Sequence, residues 1–82
     1  MPYVEKGRRN ALDPIVQAMV DADVGADGDL NYILFKFARM IPQSYNSLKN
    51  YRGELHEAAA EVKRRLLDPY EDIKMKENGD VY

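Results

Sequence analysis

Two groups of residues place cations beside an aromatic ring at helical spacing. Tyr32, Lys36 and Arg39 follow one another at four- and three-residue steps. Arg64 and Arg65 precede Tyr70 and Lys74 across an Asp68-Pro69 junction. Guanidinium and ammonium groups supply charge and hydrogen bonds for a phosphate, and a tyrosine face stacks a base. Each set therefore has the parts needed to hold a nucleotide. Arg8 and Arg9 sit in a polar amino-terminal stretch that reads as an arm able to close over either set, or as a frayed helix start. The structural explanation of Lys63-Arg64-Arg65 carries more weight, because cations near the end of a helix suit its dipole. Likewise Tyr32, Tyr51 and Tyr70 can simply finish a thin core, the ring buried and the hydroxyl at a wet edge.

Other chemistries fall away on inspection. With Asp23 as the first position of a calcium loop, Asp27, Gly28 and Asp29 take the fifth to seventh, but Gly25 takes the third and Leu34 the twelfth. Two key ligands are then missing, the bidentate glutamate among them, and Asp29 reads as a helix cap. Nucleophilic catalysis needs a nucleophile, a base and an orienting group together. The chain has no cysteine and a single histidine, His56, which sits one step off an apolar seam and reads as a helix-flank residue. Glu71 and Asp72 point apart on a helix and suit its first turn. No glycine-rich phosphate loop is present. The expectation is no enzyme, no metal site and no cofactor.

Stepping out from these residues, 82 amino acids make one domain, 1–82. A chain this short buries only about 60–65% of its unfolded surface. Small proteins commonly add disulfides, a metal or a partner. With no cysteine and one histidine, association is the remaining route, so a homo-oligomer is expected. Twelve basic residues against fourteen acidic ones argue against a duplex nucleic-acid module. No apolar run approaches the ~18 residues of a membrane span, and the first residues lack a signal-peptide core. A cytoplasmic protein follows as the expectation.

The elements that would position the basic and aromatic sets are helices. Asp13-Pro14 opens a first helix over 13–23, with Ile15, Val16, Met19 and Val20 on one face. After the loop Gly25-Ala26-Asp27-Gly28, Asp29 caps a second helix carrying Leu30, Ile33, Leu34, Phe37 and Ile41, which Pro42 ends. Residues 43–46 connect to a long third helix over 47–67, about 30 Å long. Its seam of Leu48, Tyr51, Leu55, Ala58 and Val62 steps by three and four. Asp68-Pro69 opens a short fourth helix over 70–77, stopped by Asn78-Gly79. The fold class expected is all-α, a compact three- or four-helix bundle. The long helix outreaches the first two, so Leu48, Tyr51, Leu55 and Val62 are the expected interface, with Val81 and Tyr82 at the end of the chain. Tyr3-Val4 and Val81-Tyr82 could pair as a small two-stranded patch.

Met1-Pro2-Tyr3, Leu12-Asp13-Pro14-Ile15, Gly28-Asp29-Leu30-Asn31-Tyr32-Ile33 and Pro69-Tyr70-Glu71-Asp72-Ile73-Lys74 through Glu77-Asn78-Gly79-Asp80-Val81-Tyr82 resemble a family of short uncharacterised proteins of tailed bacteriophages, prophages and bacteria. The stretch Tyr51-Arg52-Gly53-Glu54-Leu55 departs from that family's more apolar segment. The resemblance carries no activity. It implies a phage or prophage protein in a bacterial cytoplasm, and by context and size one that binds and blocks a host component. The sharpest version of this host-defence antagonist is a nucleotide-signal sponge, with phosphates on Arg64, Arg65 and Lys36 and a base on Tyr70 or Tyr32. The alternative is a helical adaptor or inhibitor that binds protein and no small molecule. A small enzyme with an intersubunit acidic cleft ranks third.

Overall fold

The computed structural model describes residues 4–79, and every regular element among them is helical. The all-α class expected from periodicity is what the chain adopts. Backbone proximity divides it into two units, Met1–Gln43 and Ser44–Tyr82. The strand patch expected of Tyr3 and Val81-Tyr82 falls outside the described residues.

In the first unit, α1 spans Lys6–Asp21 and α2 spans Gly28–Met40. The start of α1 corrects the expected arm: Arg8 and Arg9 donate their backbone N–H groups to the Glu5 carbonyl, at 3.0 and 3.1 Å. The Arg9 side chain also ties back to the Val4 carbonyl at 2.8 Å. Pro14 therefore lies inside the helix and does not open it. A proline there can donate nothing to the carbonyl of Asn10, four residues back, and α1 continues through that gap.

The end of α1 is a Schellman motif. Val24 N–H reaches the Met19 carbonyl at 3.1 Å and Asp23 N–H reaches Val20 at 2.9 Å. The left-handed position that this requires is held by Asp23, at φ 56°. Four residues on, Asp27 caps α2 by accepting from Asp29 N–H at 3.0 Å. The cap is thus Asp27 and not Asp29, whose own carboxylate accepts from Gly25 N–H at 3.2 Å. A Cβ at Gly25 would meet the Asp27 carboxylate at 2.8 Å, so a larger residue there would push the capping side chain aside. At the other end Ile41 turns extended before Pro42, and the Gln43 amide donates to the Ala38 and Ile41 carbonyls at 2.9 and 2.7 Å.

The second unit is one helix in three parts. Ser44 caps α3, Tyr45–Val62, through its hydroxyl to Ser47 N–H at 3.1 Å. The helix starts two residues earlier than its apolar seam suggests, since the cap and not the seam sets the boundary. A π-turn over Lys63–Leu67 then leads straight into α4, Asp68–Asn78. The expected break at Asp68-Pro69 is absent. Asp68 N–H bonds the Lys63 carbonyl, five residues back. The widened turn opens room where the proline ring would strike the preceding turn of a regular helix. Lys63 Nζ spans the same five residues to Asp68 at 3.0 Å. From 45 to 78 the helix is about 50 Å long, and it ends at Gly79, φ 80°.

No described residue is buried. The first unit half-buries Leu12, Met19, Val24, Leu30, Ile33 and Leu34, and the second does so for Tyr51 and Leu55. Outside this set, α2 still exposes Phe35 at 66% and Met40 at 76%.

Candidate functional site

The first basic and aromatic set lies on one helix, as its spacing requires. Lys36 Nζ sits 3.3 Å from the Tyr32 hydroxyl and 5.5 Å from the centre of its ring. Arg39 follows in the last turn of α2, where the helix dipole favours a cation. Tyr32 is 64% exposed, so its ring and the ammonium form an open surface. A planar, electron-rich group or an anion can reach both.

The second set is divided. Lys74 lies 5.7 Å over the Tyr70 ring and also pairs with Glu77 at 3.3 Å. Arg64 and Arg65 instead turn back onto Glu61: Arg64 is hydrogen bonded to it, and Arg65 stands 3.5 Å away. The Glu61 side chain is 15% exposed, so its carboxylate is shielded from water and the two guanidiniums balance its charge. Charge that was expected to meet a phosphate is thus largely answered within one helical turn. Sequence reasoning passed over Glu61, although its spacing of three and four from the arginines is the ion-pair spacing of a helix.

A third tyrosine–lysine pair was also overlooked. Lys49 lies 5.7 Å over Tyr45, at the start of α3. Together with Tyr32–Lys36 and Tyr70–Lys74, it shows one device used three times, a tyrosine four residues before a lysine. The signal was in the spacing. At exposed positions such a cation–π pair contributes about 0.5–1 kcal/mol, enough to stiffen a helix face without any ligand.

Of the expected interface residues, Leu48 and Val62 are exposed, while Tyr51 and Leu55 are half-buried. Val81 and Tyr82 lie outside the described residues. His56 is exposed on the flank of α3.

An apolar groove of about 230 Å³ opens in the first unit, where the end of α1, the loop and the start of α2 converge. Val16, Met19, Val20, Val24 and Leu30 line it, and Val20 is 66% exposed. Its floor is set by the Schellman turn, which folds Val24 back beside Met19. The sequence marked Val16, Met19 and Val20 as a face, but the turn that makes a groove of that face rests on a left-handed aspartate.

A family described as a domain of unknown function, DUF6899, matches residues 1–81. The chain belongs to this family. No curated protein and no solved structure matches it. Membership covers nearly the whole chain, so both units belong to the family's domain. Among the described residues no helix is long and apolar enough to cross a membrane.

Proposed function

We propose that this member of the DUF6899 family is a non-enzymatic interaction protein that completes its core against another polypeptide. One observation carries the reading: no described residue is buried, while Phe35, Met40, Val20 and Leu66 are each about two-thirds exposed or more. Large apolar side chains left open to water on a helix mark a surface that a partner can cover. Conformational entropy costs about 1–2 kcal/mol per ordered residue, and apolar burial must offset it. In the working protein these faces meet a partner and exclude water. A phage or prophage origin, action on a host component and a bacterial cytoplasmic setting complete the proposal, resting on the resemblance drawn from the sequence.

A second reading keeps the nucleotide. The open Tyr32–Lys36 pair with Arg39 nearby favours it, offering a ring and two cations on α2. Tyr70 with Lys74 is the weaker candidate, because Lys74, Arg64 and Arg65 all hold carboxylates.

Thermal melting of the whole chain against a panel of linear and cyclic nucleotides, run beside affinity capture from bacterial lysate, separates the two readings. An interaction protein melts at the same temperature with every nucleotide. It retains a specific lysate protein that is lost when Phe35 and Met40 are both replaced by lysine, with helicity checked by circular dichroism. A melting point that rises with one nucleotide, and no longer does so after Lys36→Ala, shifts the assignment to the sponge. Conversion of a nucleotide to product overturns the non-enzymatic reading altogether.

A further inference from the structure

The end of the long helix joins two residues whose chemistry needs no second protein. Asn78 is the last residue of α4, and Gly79 follows it at φ 80° and ψ 151°, a combination open essentially to glycine alone. With no Cβ beside it, a glycine nitrogen is unhindered, and no atom lies within 4 Å of where a Gly79 Cβ would stand. Among the described residues nothing accepts a hydrogen bond from the Gly79 N–H, and the Asn78 side-chain amide has no partner either. An open hollow of about 360 Å³, lined by Glu71, Lys74, Met75, Asn78 and Gly79, brings water to both.

The other four asparagines are placed differently. Asn10 lies in α1, Asn31 in α2, and Asn46 and Asn50 in α3. Each is followed by a residue with a side chain, and the following N–H is engaged. Inside a helix it bonds the carbonyl four residues back, and that of Ser47 bonds the Ser44 hydroxyl. Asn78 alone combines a glycine neighbour, an unengaged amide and a helix end, where fraying lets the backbone angles change.

We propose that Asn78 is a site of spontaneous deamidation, converting to aspartate and isoaspartate. The Gly79 nitrogen gives its proton to hydroxide and bonds the Asn78 Cγ. The Cγ–Nδ2 bond then breaks, and ammonia leaves with a proton from water, so that a succinimide ring remains. Water opens the ring at either carbonyl: attack at Cγ gives aspartate, and attack at the backbone carbonyl gives isoaspartate. Nothing is oxidised or reduced; water enters and ammonia departs. The new carboxylate takes the formal net charge from −2 to −3. It stands at the C-terminus of the helix, where the dipole disfavours an anion, and isoaspartate also lengthens the main chain by a methylene. Each conversion therefore loosens the last turn of the long helix.

Incubating the whole chain at neutral and at mildly alkaline pH, with peptide mapping by mass spectrometry, tests the assignment. A short peptide of residues 76–80 supplies the reference rate. Conversion should concentrate at residue 78, keep pace with the peptide and rise with pH, since hydroxide takes the proton. Gly79→Ala should bring the rate at 78 down to that of the other four asparagines. Because a side chain at that φ also strains the backbone, Asn78→Gln is the second variant. It keeps an amide but must close a larger ring, so conversion at 78 should be lost while circular dichroism shows the same helicity. Hydrogen exchange in the last turn should be faster in the converted chain than in the fresh one. A whole chain that stays intact at 78 while the peptide converts would overturn the proposal. So would conversion seen only in denaturant, or conversion spread evenly over all five asparagines.

Discussion

The α2 helix and the helix running from 45 to 78 solve the same problem in opposite ways. The former is short, capped at both ends by Asp27 and Gln43, and apolar on more than one side, with Tyr32, Lys36 and Arg39 on the remaining face. By contrast, the 45–78 helix is about 50 Å long, charged over much of its surface and apolar along one strip. Phe35 and Met40 stand about 140° apart on α2, so it needs cover on two sides, whereas a striped helix needs a single neighbour. In the proposed assembly α2 is therefore covered on two sides and the long helix along one.

Substitution separates the two roles. Phe35→Asp places a charge at an α2 side chain that is 66% exposed in the single chain but enclosed in the proposed assembly. It should cost about 3 kcal/mol or more, read as loss of the cooperative melt. A melt unchanged by Phe35→Asp would mean that this face of α2 stays in water, and the contrast with the long helix would collapse.

The two prolines sharpen the comparison next. Pro14 sits in an unbroken stretch of α1, while Pro69 follows a π-turn that has already made room for it. Pro14→Ala should raise stability by as much as about 2–3 kcal/mol, seen as a higher melting temperature. Pro69→Ala should gain clearly less. Equal gains would show that the π-turn does not relieve the proline.

Caps come third. Asp27→Ala and Ser44→Ala each remove the side chain that accepts from a first-turn N–H, and each should cost about 1 kcal/mol. Chemical denaturation would measure both. A much larger loss for Asp27 would reflect its place in the loop that holds Gly25 and Asp29 together. Smallest is Asp23→Gly, which relieves a left-handed aspartate and should add at most about 1 kcal/mol. A loss there would mean that the Asp23 carboxylate has a task that its backbone angle does not reveal.

Much of this architecture was legible before any coordinates. Three- and four-residue steps marked the helical faces, Pro42 marked the end of α2, and Asn78-Gly79 marked the end of the long helix. These signals are local: a proline restricts the residue before it, and a glycine tolerates a positive φ, whatever the rest of the chain does. The two Asp-Pro pairs misled for the same reason. Read locally, each is a helix opening, yet both lie within continuous helix, because the flanking residues favour helix strongly enough to carry the chain past one missing hydrogen bond.

The candidate sites were legible as residue types and less so as partnerships. Tyr32–Lys36 and Tyr70–Lys74 met as their spacing implied, since four residues is one helical turn. That Arg64 and Arg65 would fold onto Glu61 depended on which of several neighbouring carboxylates their flexible side chains chose. The sequence alone determined that the chain is helical and which faces are apolar, because both follow from periodicity along a single chain. Only the tertiary structure decided that 45–78 is one helix with a π-turn, that Asp23 bends the chain into a groove, and that no described residue of either unit is buried. Those outcomes turn on backbone angles and side-chain burial in three dimensions, which no spacing along the chain encodes.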